Sequence, residues 1–228
     1  MRGFVIIAAG INKMEITSKK IKVSKTGRYY IIGKPSEKIS SVWFVLHGYG
    51  QLARDFIKYF RPVVSESAIV VAPEALNKFY LKGFDGKIGA AWMTREDREE
   101  EVDDYVSYLD SVYDEVIREG HFRKAKITIL GFSQGSYSAV RWATRGRSKS
   151  DRMILWGGGI PSDVDADKIK SYSDMTPLII VAGDKDQFVT EEEISRETER
   201  LNSIKLNYQI KRFKGGHEIK ADVLRQLL

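Results

Sequence analysis

The sequence contains no cysteine, and only three of its 228 residues are histidine. Without cysteine the chain cannot form a disulfide, a thiolate metal site or a cysteine nucleophile, so any covalent chemistry has to use another side chain. The histidines stand on separate segments, with none of the spacings that bind zinc. The acidic stretch 95–120 has apolar residues at helical spacing, which makes its carboxylates the solvent face of a helix. We therefore expect no metal and no cofactor.

The sequence also lacks a long apolar run and a dominant charge. Its N-terminal MRGFVIIAAGI is too short to span a bilayer and resembles a signal peptide only faintly, so we expect a cytoplasmic protein without stable membrane insertion. Export through an atypical N-terminal signal is the alternative, and residues 1–13 become a disordered extension if Met14 is the true start. The 37 Lys and Arg exceed the 31 Asp and Glu, but they are scattered and form no nucleic-acid-binding module. We expect no nucleic-acid partner, and the sequence leaves the oligomeric state open.

Buried apolar runs alternate with helical segments along the chain. An N-terminal antiparallel hairpin is predicted from segments 20–24 and 28–32. Further strands are predicted at 41–46, 68–72, 126–130, 152–156, 177–182 and 207–213. Helices are predicted near 53–60, 96–119, 134–144, 191–203 and 218–227. This alternation predicts an α/β fold with a mostly parallel central sheet and helices on both faces, built as a single domain over residues 1–228 without a large cap domain.

One short motif stands between a predicted strand and a predicted helix. Gly131-Phe132-Ser133-Gln134-Gly135 fits G-x-S-x-G, which in this setting makes a strained turn that exposes the serine hydroxyl. Side chains at the two glycines would collide where strand and helix approach each other. We predict Ser133 as a covalent nucleophile and the backbone N–H of Gln134 as an oxyanion donor.

Three other predicted strands also end in polar loops, HGYGQ at 47–51, GDKDQ at 183–187 and GGHE at 215–218. Ligands bind at the carboxyl ends of strands in such sheets, so these loops are expected to meet at one site. A serine hydroxyl needs an imidazole to accept its proton and a carboxylate to orient that imidazole. The order serine, aspartate, histidine is that of the α/β-hydrolases, which favours Asp186 and His217 for these roles. The backbone N–H of Tyr49 is the second predicted oxyanion donor.

Each assignment has a competitor in the sequence. Asp184 stands two residues before Asp186 and could cap the loop or act as the acid. His47 precedes the predicted oxyanion loop and is expected to brace it by hydrogen bonding. His121 follows the acidic helix at the wrong end of the sheet, where a surface or helix-capping role is expected.

The segments LHGYG, GFSQG, GDKDQFV and GGHEI resemble the phospholipase/carboxylesterase family of α/β-hydrolases, over nearly the whole chain from about Val42. That family includes small carboxylesterases, lysophospholipases and acyl-protein thioesterases. The resemblance implies a triad of Ser133, Asp186 and His217, with 157–161 as the loop after the sixth strand. The chain departs from the family pattern at 49–51, where Leu-Gly-Asp is common, and at Ser136, where another glycine is common.

The long connection 73–95 is rich in glycine and aromatic residues. Connections of this length are often binding loops, so its larger apolar side chains either line an acyl or alcohol pocket or only pack the loop onto the domain. These residues are Phe79, Tyr80, Phe84, Trp92 and Met93.

Taken together, the residues predict a metal-independent serine hydrolase that cleaves small-molecule carboxylic esters through an acyl-enzyme. A lysophospholipase or acyl-protein thioesterase with the same triad is the first alternative. A non-catalytic binding scaffold or an acyltransferase is the second, because a fold does not by itself define a function.

Overall fold

The structure is a computed structural model that describes residues 16–119 and 122–228. The predictions for residues 1–13 and for His121 therefore lie outside the described residues.

Seven strands form one main sheet in the order β1-β3-β2-β6-β7-β8-β9. These strands are β1 (Arg28–Ile32), β2 (Ser41–Leu46), β3 (Ala68–Glu74), β6 (Lys126–Phe132), β7 (Arg152–Trp156), β8 (Leu178–Gly183) and β9 (Gln209–Phe213). Every neighbouring pair is parallel except β1 and β3, which are antiparallel. The predicted, mostly parallel sheet with an antiparallel N-terminal part is confirmed. A separate two-stranded antiparallel sheet consists of β4 (Asn77–Tyr80) and β5 (Ile88–Ala91).

Helices cover both faces of the main sheet. The helices are α1 (Ala53–Phe56), α2 (Arg98–Tyr113), α3 (Gln134–Arg145), α4 (Ala166–Met175), α5 (Glu191–Ser203) and α6 (Ala221–Arg225). A 3₁₀ segment (Ile57–Val63) continues α1, and a π-helical segment (Asp114–Glu119) continues α2. None of the helices in the described part of the chain is long and apolar enough to cross a membrane.

Successive side chains of β2 alternate between two hydrophobic cores. Phe44 packs with Trp142 of α3 on one face, whereas Trp43 belongs to the core on the other face, which also contains Phe60. Strands buried on both faces read as continuous apolar runs, and all seven residues of β3 are buried. For this reason the central strands could be predicted from the sequence close to their observed bounds.

The predicted pairing of segments 20–24 and 28–32 is wrong, because 20–24 forms no strand and β1 pairs with β3. Ile21 and Val23 are 88% and 79% exposed, so the apolar side chains of 20–24 do not pack against a hydrophobic core. The long, buried strand β3 offers β1 a free edge and a core to pack on.

Three other elements differ from the sequence predictions. Helix α4 was not predicted, because ADKIKSYSDM has few apolar residues at helical spacing. The connection 73–95 contains β4 and β5 rather than irregular loop. The predicted helix 53–60 changes to 3₁₀ at Ile57, and the 3₁₀ segment contains Pro62, which has no N–H to donate to the Lys58 carbonyl oxygen as an α-helix would require.

Candidate active site

Ser133 occupies a strained turn between β6 and α3. Its φ of 54° and ψ of −120° lie in a region that residues other than glycine rarely adopt. The Ser133 N–H donates a hydrogen bond to the carbonyl oxygen of Trp156 at the end of β7, at 2.9 Å. The neighbouring strand thus holds the strained backbone in place, and the serine side chain remains half-buried.

The two motif glycines are required by close backbone contacts. A Cβ atom at Gly131 would lie 2.2 Å from the carbonyl oxygen of Gly135, and one at Gly135 would lie 2.2 Å from that of Leu46. Backbone atoms cannot move aside as a flexible side chain can, so the predicted steric reason for both glycines is confirmed. The Ser136 hydroxyl, at the position where the family often has glycine, donates to the Gly131 carbonyl oxygen at 2.8 Å.

Asp186 and His217 are joined by a hydrogen bond of 2.7 Å between Oδ2 and Nδ1. The Asp186 side chain is almost completely buried, and its Oδ1 accepts hydrogen bonds from the backbone N–H groups of Phe188 and Val189 at 2.8 and 3.1 Å. The competing Asp184 is exposed, and its Oδ1 accepts from the Gly215 N–H at 2.9 Å. Asp186 thus contacts the imidazole, whereas Asp184 caps the loop that carries it.

The His217 ring lies against the serine turn. Its centroid is 4.8 Å from that of Phe132, the residue before Ser133, and 4.9 Å from that of Phe188. A Cβ atom at Gly157, which directly follows Trp156, would lie 3.0 Å from His217 Cε1. Within residues 16–119 and 122–228, no hydrogen bond joins Ser133 to His217, and catalytic hydrogen bonds are often long before substrate binds.

His47 braces the loop after β2, as predicted. It is fully buried, its Nε2 accepts from the Ala75 N–H at 3.0 Å, and its Nδ1 donates to the Gly48 carbonyl oxygen at 2.8 Å. The Ala75 donor requires an unprotonated Nε2, which fixes the neutral tautomer. Burial lowers the pKa of His47 from 6.5 to about 4.

This pKa predicts a loss of stability in mild acid. The unfolded chain binds a proton at His47 below pH 6.5, whereas the folded protein does so only near pH 4, so the free energy of unfolding falls as the pH drops through this window. The expected loss is about 3 kcal/mol. Urea unfolding at several pH values measures it, with His47→Gln as control, because the glutamine amide can accept from the Ala75 N–H without titrating. Parallel loss in both proteins would contradict the prediction.

The loop 48–51 lies beside the serine and presents one of the predicted donors. A Cβ atom at Gly48 would lie 3.2 Å from Ser133 Cβ, and the Gly48 N–H donates to Gln51 Oε1 at 2.8 Å. In the described part of the chain, the Tyr49 N–H makes no backbone hydrogen bond. Gln134 is the first residue of α3, where N–H groups have no partner within the helix. Both N–H groups are therefore available to an oxyanion.

The aromatic residues of the connection 73–95 divide into buried and exposed ones. Trp92 is 1% exposed, belongs to a core and donates its indole N–H to the His47 carbonyl oxygen at 2.8 Å, so it packs the connection onto the sheet. Met93 packs against the same core. Phe79 packs against the exposed ring of Tyr49 in a tilted arrangement, with centroids 5.1 Å apart, and Tyr80 is half exposed. A role for Phe79, Tyr80, Trp92 and Met93 in substrate binding stays a prediction.

A cavity of about 390 Å³ lies between α5 and strands β8 and β9. Gly158, Gly159 and Phe188 line it. Two of these lining residues contact the candidate site, because Gly158 packs against the serine turn and Phe188 packs against the His217 ring, whereas Ser133 and His217 do not themselves line the cavity. This cavity was not predicted from the sequence, because it depends on how α5 lies over β8 and β9, which no local pattern of residues indicates.

No group of three or more His, Asp or Glu side chains within the described ranges is placed to hold a metal ion.

A strained serine between β6 and α3, followed in chain order by a buried aspartate after β8 and a histidine after β9, defines an α/β-hydrolase fold. The chain belongs to the Phospholipase/Carboxylesterase family, whose model matches residues 28–228. The protein is therefore a hydrolase of the esterase type.

Solved structures agree with this fold. The acyl-protein thioesterase 2 of Zea mays aligns with a TM-score of 0.67 at 18% identity and covers 89% of this chain and 96% of its own. A carboxylesterase of Mesorhizobium loti has a TM-score of 0.67 at 17% identity, with coverages of 91% and 97%. The Bacillus cereus carboxylesterase has a TM-score of 0.61 at 16% identity, with coverages of 88% and 91%. A search of curated proteins gave no match.

Proposed function

We propose that the protein is a serine hydrolase that cleaves carboxylic esters through an acyl-enzyme. Ser133 is the nucleophile, His217 the general base and Asp186 the carboxylate that orients it. The observation that carries this proposal is the 2.7 Å hydrogen bond between buried Asp186 and His217, next to a serine held in a strained turn.

The proposed reaction begins with proton transfer from Ser133 to His217. Because Nδ1 of His217 is hydrogen-bonded to Asp186, Nε2 is the nitrogen that accepts this proton. Ser133 Oγ attacks the ester carbonyl carbon, and the carbonyl oxygen becomes an oxyanion. The protonated imidazole then donates to the departing alcohol as the C–O bond breaks. Water enters, is activated by the same imidazole and releases the carboxylic acid from Ser133.

Two backbone N–H groups stabilise the oxyanion in this proposal, those of Tyr49 and Gln134. Gln134 also starts the 12-residue helix α3, whose N-terminus favours negative charge. Losing one such donor typically lowers kcat by about a hundredfold to a thousandfold.

The cavity beneath α5 favours a second candidate function, deacylation of longer chains as in a lysophospholipase or acyl-protein thioesterase. Its volume of about 390 Å³ is within the range of ligand pockets, and its lining combines apolar side chains such as Phe188 and Ile180 with charged ones on α5. Phe188, which lines the cavity, also packs against the His217 ring, with ring centroids 4.9 Å apart, so the cavity lies next to the proposed triad.

Hydrolysis of p-nitrophenyl esters of increasing acyl length, measured in excess EDTA, tests both candidates. We expect saturable hydrolysis that survives chelation, because proton transfer and charge stabilisation come from side chains and backbone. A kcat/KM that rises from acetate to octanoate supports the longer-chain function, and a maximum at acetate supports the small-ester function. Activity lost with EDTA and restored by added metal would contradict the mechanism, and absent turnover would favour a binding scaffold.

A further inference from the structure

The two proposed oxyanion donors belong to elements that are far apart in the sequence. Tyr49 lies in the loop after β2, whereas Gln134 begins α3. Donors act on an oxyanion only within about 2.7–3.1 Å, so something has to fix the distance between these two elements.

Segment 90–93, at the end of β5, is bound to the first of these elements. The Gly50 N–H donates to the Ala90 carbonyl oxygen at 2.9 Å, and the Ala90 N–H donates to the Gln51 carbonyl oxygen at 3.2 Å. These bonds are made by the two residues that follow Tyr49, and they leave its own N–H unpaired within the described residues.

The side chain of Gln134 binds the same segment from the other side. Its Oε1 accepts from the Trp92 N–H at 3.0 Å, and its Nε2 donates to the Met93 carbonyl oxygen at 2.9 Å. One amide thus pairs with a backbone donor and a backbone acceptor on consecutive residues. Trp92 is itself immobilised, since it is buried and its indole N–H is bonded to the His47 carbonyl oxygen.

We propose that the Gln134 side chain is a positioning residue that sets the spacing of the oxyanion hole through segment 90–93. The inference rests on the proposed function. Gln134 has two separate roles in this proposal. Its backbone N–H contacts the oxyanion, and its side chain binds segment 90–93, which in turn binds the Tyr49 loop. A donor displaced by about 1 Å can cost about a hundredfold in rate, so loss of the side-chain contacts is expected to affect kcat strongly.

The test compares Gln134→Met with wild type. Methionine has a similar length and keeps the backbone N–H but makes neither hydrogen bond. Titration with a fluorophosphonate counts the reactive serines, and kcat is expressed per titrated site. We expect an unchanged titre, a kcat lowered by about tenfold to a hundredfold and little change in KM. Binding of a boronic acid, which forms a tetrahedral adduct with the serine, should weaken by the same factor as kcat/KM.

Two further variants separate positioning from a structural role. Gln134→Glu places a carboxylate oxygen against the Met93 carbonyl oxygen, and protonation turns that oxygen back into a donor. Its kcat/KM relative to wild type should therefore rise as the pH falls from about 7 to about 5. Ser138→Ala is the control, because it removes another hydrogen bond of the same helical turn, from Ser138 Oγ to the Gln134 carbonyl oxygen, without touching segment 90–93. It should keep the wild-type kcat.

The outcomes are distinct. An unchanged kcat per titrated site in Gln134→Met, with only a lower melting temperature or titre, would overturn the proposal, as would a pH-independent ratio for Gln134→Glu or an equal loss in Ser138→Ala. If the wild-type protein hydrolysed esters without reacting with the fluorophosphonate, the proposed serine mechanism would be wrong, and the inference about Gln134 would be wrong with it.

Discussion

Ser133→Ala should lower kcat for a p-nitrophenyl ester by about 10⁶-fold, the loss seen when a serine protease loses its nucleophile. The variant has no oxygen to attack the carbonyl carbon, and His217 has no hydroxyl proton to accept. The fold should be retained, because alanine keeps the Ser133 N–H bond to Trp156 and removes only a half-buried hydroxyl.

A fluorophosphonate provides the direct measurement. It should modify wild-type protein at one site, and mass spectrometry should place the adduct on Ser133, while Ser133→Ala remains unmodified. Ser136→Ala is the matched control, since this nearby hydroxyl is fully buried and donates to the Gly131 carbonyl oxygen. An adduct on any other residue of the active protein would show that the nucleophile has been misassigned.

Asp186→Asn is expected to lower kcat by about 10⁴-fold while leaving KM and the fold largely intact. The Asp186 carboxylate accepts from His217 Nδ1 and so keeps Nε2 free to take the serine proton. An asparagine amide can donate to Nδ1 instead, which selects the wrong tautomer. It also cannot stabilise the positive charge that the imidazole acquires.

Asp184→Asn is the control for the aspartate prediction. It keeps an oxygen that can accept from the Gly215 N–H, and Asp184 has no hydrogen bond to His217 among the described residues. We expect a small change in kcat, measured on both purified variants alongside their melting temperatures. A larger loss in Asp184→Asn than in Asp186→Asn would reverse the assignment of the acid.

The parts of the site that could be predicted from the sequence are those fixed by local geometry. Gly131 and Gly135 are needed because strand and helix approach each other closely there, and a motif of five consecutive residues is enough to predict this approach. Asp186 was predicted from the end of β8, a buried strand that is recognisable as an apolar run. His217 follows the mostly exposed strand β9, so its prediction depended on the chain order serine, aspartate, histidine.

The rest depends on contacts between distant segments. Whether Trp92 lines a pocket or fills a core depends on its distance from His47, which no local pattern reports. The cavity beneath α5 likewise results from how that helix lies over β8 and β9. The strand pattern of 20–24 was misleading because β1 found its partner in β3, after β2 in the chain.

The pairing of β1 with β3 also affects when β1 can join the sheet during synthesis of the chain. A hairpin could form as soon as its second strand had been synthesised, but β1 is synthesised before β2 and before its partner β3. Its apolar residues must wait for a partner that appears after β2, the α1 helix and the 3₁₀ segment. The spatial order of the strands in this sheet therefore differs from the order in which they are translated.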